Sequence, residues 1–351
     1  MTTTNSSNLI ATVESYLSPS LTVGTALPND LAAPALHLIP SSTLTKLRTF
    51  GPARVKDMRS LGHAKQIVSH ISIPATAQTC AKFNDALYAA IRLNAEKFSA
   101  LALLPSGAGE GKEAARELQR CIVKYRFVGG VIGLRSGSEG EGSLVEGSFE
   151  ELWDTAEKYR VPIALREMWP AGSELPNYQR SLPDTALGPL VTHIHTAHAD
   201  PSLPILHLYL SSTFDRYPIL RLILCHPGTL PSLLRRIETL LSLIPSADKP
   251  KRSFLDVWQH NLYLTTADAQ DLSTMRTLLE QIPVDRVLYA SNYPLEERGR
   301  RLMEDLRESG FLTKEEWERV AWGNAEVLFG LNKGGSAGKA LAMRYGSRSA
   351  S

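Results

Sequence analysis

Two basic side chains follow directly on short apolar runs: Arg166 after Val161-Pro162-Ile163-Ala164-Leu165, and His226 after Leu222-Ile223-Leu224-Cys225. An imidazole with an ordinary pKa near about 6.5 exchanges a proton at neutral pH. A guanidinium keeps its proton and can hold a carboxylate or enolate by a two-pronged contact. Such a pair suits acid/base chemistry on a small anionic molecule. Other polar residues end further runs: Glu14, Ser15 and Tyr16; His70; Arg135; Glu167, with Trp169 close behind; Thr266; and Asn292. The candidate set is His226, Arg166 and Asn292 for catalysis, with Glu14, Tyr16, His70, Arg135, Trp169 and His195 lining the substrate. Plainer readings stand beside these. Arg166 could form an ordinary salt bridge with Glu167 or Glu14, Glu14 could hold Arg166 rather than move protons, and His70 reads as a packed, hydrogen-bonded core histidine. The segment Thr192-His193-Ile194-His195-Thr196-Ala197-His198-Ala199-Asp200 has metal-like spacing. It lies within a long connection, however, and reads better as a polar loop or helix face.

These residues form one site only if the ends of the runs converge. Eight runs are short enough for buried parallel strands: Leu9 to Val13, Gln66 to Ile73, Ser99 to Leu104, Val128 to Leu134, Val161 to Leu165, Leu220 to Cys225, Asn261 to Thr265 and Arg286 to Ala290. Helical spacing occupies 77–93, 111–125, 149–160, 203–216, 230–243, 272–281, 295–309 and 314–331, and Thr313 with Glu316 makes a capping-box pattern for the last of these. This alternation predicts an α/β fold, a single (β/α)8 TIM barrel over residues 9–331, with chemistry at the C-terminal ends of the strands. An open doubly wound sheet is less well supported, since no GxGxxG follows the first run. Connections 17–52 and 167–202 are long, proline-containing and sparsely charged, and are expected to cover the mouth of the barrel. Residues 1–8 and the Gly/Ser/Ala-rich stretch 332–351 read as disordered ends.

Of the 351 residues 43% are hydrophobic and 21% charged, the balance of an ordinary globular chain. Lys plus Arg is 38 against 36 Asp plus Glu, a net charge of +2, which gives no electrostatic case for nucleic acid or an anionic membrane. Three separated cysteines suggest no disulfide framework and fit a reducing compartment. No signal peptide or long apolar span stands out, so a cytoplasmic protein with a small-molecule substrate is expected.

The segments Phe98-Ser99-Ala100-Leu101-Ala102-Leu103-Leu104-Pro105, Phe214-Asp215-Arg216-Tyr217-Pro218, Cys225-His226-Pro227-Gly228, Asp285-Arg286-Val287-Leu288-Tyr289-Ala290-Ser291-Asn292-Tyr293-Pro294 and Gly323-Asn324-Ala325 occur in this order. Together they resemble the amidohydrolase-related decarboxylases, a family that includes aminocarboxymuconate semialdehyde decarboxylase and the dihydroxybenzoate and resorcylate decarboxylases. The resemblance implies a (β/α)8 barrel, an assembly that is usually a dimer or tetramer and is expected here as a homodimer, and one divalent metal. Its ligands would be an acidic or His pair on the first strand, a His ending the fifth, a His ending the sixth and an Asp ending the eighth. Here those positions fall on Val13 and Ser15, Arg166, His226 and Asn292, so only His226 matches. A slip of one residue would bring Glu14 into the first-strand position but would not remedy Arg166. One donor cannot hold a zinc ion, which takes at least three. A side-chain cation in place of the metal is therefore expected, with no cofactor.

The function expected is a metal-independent lyase or isomerase, decarboxylating, dehydrating or cyclising a small aromatic, β-keto or polyketide-like compound in secondary metabolism. The alternatives are a metal-dependent aromatic acid decarboxylase using His226 with two of His193, His195 and His198, and a non-catalytic barrel that binds a small molecule or a partner enzyme. Asn292 cannot deliver a proton as the family's Asp does, which leaves the choice among these reactions open. The ends carry no role in any of these readings. Deleting residues 333–351 should leave the melting temperature and turnover almost unchanged, and a large fall in either would show that this stretch packs on the barrel.

Overall fold

Successive side chains of each apolar run go to opposite faces, as an extended backbone requires. Leu222 and Leu224 pack with Leu230, Val257 and Trp258 from the helices, whereas Ile223 between them joins Ile67, Leu101, Leu103, Val131 and Ala164. The first set is the outer face of a closed sheet and the second its filling, which is why the strands read as unbroken hydrophobic runs. The computed structural model describes residues 8–21, 33–107, 109–135, 149–194, 200–296 and 300–331. It contains eight strands, β1 (Leu9–Tyr16), β2 (His63–His70), β3 (Phe98–Leu103), β4 (Gly129–Leu134), β5 (Ile163–Glu167), β6 (Leu222–Leu224), β7 (Leu262–Thr265) and β8 (Val287–Leu288). They pair in parallel in chain order, and each overlaps one of the expected runs.

A buried carboxylate joins the first strand to the last. Thr12 N donates to Tyr289 O at 2.9 Å and Ser15 N to Tyr293 O at 2.8 Å, bringing β1 against the segment that follows β8. Between these contacts the pairing of β1 with β2 is irregular from Ala11 to Glu14, and Val13 takes a left-handed φ of 58°. That conformation is strained for a β-branched residue. Its consequence is that Glu14 reaches the seam: its carboxylate accepts from Ser291 N at 2.8 Å, Ser291 Oγ at 3.1 Å and Tyr293 N. Burial pushes the Glu14 carboxyl above its usual range, against the opposing pull of these donors and of the Arg54 guanidinium.

The two long connections meet over the mouth. Pro34 and Ala171 form an antiparallel bridge, Ala35 N donates to Pro170 O at 2.8 Å, Gly172 N to Ala33 O at 3.0 Å, and Trp169 Nε1 to Ala35 O at 3.0 Å. They are not plain loops. Helices Ser41–Arg48 and Leu175–Gln179 lie within them, as does Asp184–Ile194, and Pro52–Leu61 follows the first. Other helices depart from expectation as well. The stretch 203–216 is split into Ser202–Leu210 and Thr213–Arg216, because Ser212 adopts a φ of 59°. The last helix is interrupted by a π-turn at Arg319–Gly323, just before Asn324, whose side chain donates to Val284 O and Val287 O at 2.8 Å. In 295–309 the described helix is Arg301–Glu308. No described helix is long and apolar enough to cross a membrane. The expected disordered ends, apart from Asn8, lie outside the described residues.

Glu14→Ala would leave three donors at the seam without their acceptor, and unsatisfied buried donors cost about 1–3 kcal/mol each. Urea unfolding should therefore show a loss of about 3 kcal/mol or more. A loss below about 1 kcal/mol would mean that the backbone contacts close the seam alone.

Candidate active site

Arg166 is the penultimate residue of β5, inside the mouth and 3% exposed. A guanidinium cannot shed its charge there, so its N–H groups must find acceptors. Nη2 donates to Ser15 Oγ at 2.7 Å and Nη1 to Ser69 Oγ at 3.2 Å, from the ends of β1 and β2. Nε lies 3.8 Å from Glu167 Oε1. Ser15 thus faces the cation, whereas Glu14 is engaged at the seam. Of the two salt bridges expected for Arg166, the one with Glu167 is present.

His226 follows β6, with its side chain 10% exposed, and lies between two carboxylates. Nε2 is 3.4 Å from Glu167 Oε1, and Nδ1 is 2.5 Å from Asp268 Oδ1. Burial alone would lower the imidazole pKa; Glu167 and Asp268 outweigh both that and the repulsion from Arg166, and the net shift is upward. With the imidazole protonated, the cluster holds two cations, Arg166 and His226, and two carboxylates, Glu167 and Asp268. Losing the imidazole proton leaves it net negative, which disfavours an anionic ligand. Asp268 is 48% exposed and so connects His226 to solvent.

The adjoining pocket is lined by Ile71, Ser72, Arg166, Glu167, Trp169 and Leu295. Trp169 is among the residues that line it. His70 is fully buried, stacked on Phe83 at 4.4 Å, with Nδ1 bonded to Ile71 O at 2.8 Å. Burial lowers its pKa to about 4, so it is neutral, the core histidine expected. Tyr16 is buried against Phe50 and His70. Arg135 pairs with Glu174 at 3.1 Å, linking β4 to the cover. Asn292 has a left-handed φ of 60° and donates to Glu296 at 3.3 Å. His193 is exposed at the end of its helix, and His195 lies outside the described residues. Sequence reasoning missed Asp268, Ser69 and Ser72. Asp268 had a usable signal, a carboxylate three residues beyond a strand end; the two serines had none.

Comparison with known proteins bears on this arrangement. The amidohydrolase family model matches residues 46–331. A decarboxylase of Emericella nidulans, orsB, is 32% identical over 291 residues, covering 81% of this chain and 86% of that one. A gamma-resorcylate decarboxylase of Polaromonas sp. is 29% identical, with 73% of this chain and 77% of the relative covered. Two solved structures share the fold at a TM-score of 0.73: a 2,6-dihydroxybenzoate decarboxylase complexed with 2,6-dihydroxybenzoate, at 23% identity, covers 92% of this chain and 99% of its own. The other, a Polaromonas dihydroxybenzoic acid decarboxylase with bound manganese and 2-nitroresorcinol, is 24% identical and covers 93% and 98%. The side chains here do not fit such an ion. Arg166 stands at the fifth-strand position with its guanidinium bonded to Ser15, the first-strand position. Glu167 and Asp268 sit on different nitrogens of His226, and no three His, Cys, Asp or Glu side chains among the described residues are grouped to hold a metal. With the family model matched along most of the barrel and a relative above 30% identity, this chain belongs to the amidohydrolase family.

Proposed function

We propose that this enzyme removes CO2 from a small aromatic acid without a resident divalent metal, using the Arg166 guanidinium as the fixed positive charge and the His226 imidazolium as the proton donor. It is an enzyme of the decarboxylase kind, as its relatives are. The observation that carries the metal-free reading is the buried Arg166, bonded to Ser15 and Ser69 and next to His226 across Glu167.

Arg166 orients the substrate carboxylate, and a preorganised charge in a dry site requires little reorganisation as the reaction proceeds. His226 Nε2–H protonates the ring carbon that bears the carboxylate. The bond from that carbon to the carboxylate then breaks, its electron pair returns to the ring, and CO2 leaves. The balance is one carboxylate and one proton in, one arene and one CO2 out. Neutral His226 keeps Nδ1–H toward Asp268 and regains its proton on Nε2 from solvent once CO2 and the arene have left. Asp268 acts as a positioning residue that holds Nδ1 and favours the imidazolium. Three buried free cysteines, Cys80, Cys121 and Cys225, support placement in a reducing compartment such as the cytoplasm, and a homodimer remains part of this reading by family resemblance.

The test is turnover of 2,6-dihydroxybenzoate and related hydroxylated benzoates by folded variants. His226→Ala should reduce kcat by roughly 10² to 10⁴. Arg166→Lys should reduce kcat/KM by about 10² or more, since an ammonium cannot hold both serines and a carboxylate in one plane. Full turnover by both variants would place the site elsewhere.

The pH profile gives a separate check. Because the folded His226 pKa is raised, the imidazolium persists above pH 6.5, and kcat should fall as pH rises through the higher folded value. Asp268→Asn should move that limb to lower pH. An unmoved limb, with only a uniform drop in rate, would mean that Asp268 does not set the proton affinity of His226.

A further inference from the structure

One hydroxyl in the pocket has no partner among the described residues. Ser72 is 2% exposed, and its Oγ makes no hydrogen bond among the described residues. Buried hydroxyls are nearly always paired, so one left over in a pocket wall beside a buried cation points to a ligand atom that completes it. Its position is fixed by backbone: Trp169 N donates to Ser72 O at 2.8 Å, and Ile71 N donates to Tyr16 O at 2.9 Å. Ser72 is thus held on the same wall as Trp169, whose own indole N–H is committed to Ala35 O.

The pocket lining also limits what Ser72 can meet. Its charged members are one cation, Arg166, and one carboxylate, Glu167, and the remaining walls are Ile71, Trp169 and Leu295. One anionic group is accommodated at Arg166. A second would face Glu167, whose other neighbouring cation, His226, is already held between Glu167 and Asp268, so the further polar substituent is neutral. Trp169, Ile71 and Leu295 are the apolar members of this wall, against which the flat face of a ring would rest.

We infer that Ser72 Oγ is a specificity-determining contact, hydrogen-bonding a neutral hydroxyl on the ring of the acid whose carboxylate Arg166 holds. This rests on the aromatic-acid reading above. It selects hydroxybenzoates over benzoates that lack the hydroxyl, because a site built for a hydroxyl is left with an unmet polar group when the analogue binds.

Calorimetry of wild type, Ser72→Ala and Ser72→Cys with 2,6-dihydroxybenzoate and with benzoate tests this directly. The first ligand presents a hydroxyl on either side of its carboxylate, so its orientation does not matter. Ser72→Ala should weaken 2,6-dihydroxybenzoate about tenfold, the worth of one buried neutral hydrogen bond, and change benzoate less than about twofold. Ser72→Cys, a weaker donor of similar shape, should fall between. Since the hydroxyl is unpaired without ligand, Ser72→Ala should melt no lower than wild type. Equal losses for both ligands, no loss for either, or a clear fall in melting temperature would overturn the role of Ser72 while leaving the aromatic-acid reading in place. Wild type binding neither acid would remove that reading, and this inference with it.

Discussion

A guanidinium that cannot give up its proton is held inside a barrel mouth, and the surrounding polar groups are arranged to meet it. Arg166 is 3% exposed, and burying an unmatched charge is among the largest penalties a fold can carry. Ser15, Ser69 and Glu167 meet it from the ends of three strands. Glu167 in turn faces His226, and Asp268 faces the other side of that ring. The arginine and the histidine therefore share one carboxylate: Glu167 lies against Arg166 and, with Asp268, favours the imidazolium against the repulsion of the arginine. Removing the cation would leave Glu167 and Asp268 with His226 alone between them and would relieve the repulsion that Arg166 exerts on the imidazolium.

The position of Arg166 depends on the seam on the opposite side of the sheet. The left-handed turn at Val13 sends Glu14 to Ser291 and Tyr293 and leaves Ser15 facing the guanidinium. Two neighbouring polar residues on β1 thus have unrelated tasks, one joining the first strand to the segment after the last and one holding the cation. Strain at a single β-branched residue accompanies this division.

The barrel was legible in the sequence because parallel strands buried on both faces leave unbroken apolar runs, and eight of them punctuated by helical spacing admit few other folds. Arg166 and His226 were legible for the same reason, standing at run ends. The partition of Glu14 from Ser15 was not, since it follows from one backbone dihedral at Val13 that no residue-type rule assigns to a valine. Asp268 lay beyond the residue taken as the end of its run, and Ser69 and Ser72 became visible only through what they touch or fail to touch. The covering helices were hidden in connections whose prolines and low charge resemble loop. The same barrel elsewhere carries a manganese ion, so fold and chemistry have to be read separately.

The central claim is that a side-chain cation supplies the positive charge of the site. The most direct measurement is elemental analysis of the purified protein, paired with turnover before and after exhaustive treatment with a chelator. The account predicts well under one equivalent of zinc, manganese or iron per chain and a rate on a hydroxylated benzoate that the chelator does not change. About one equivalent of a divalent metal, with activity lost on its removal and regained on its return, would contradict it.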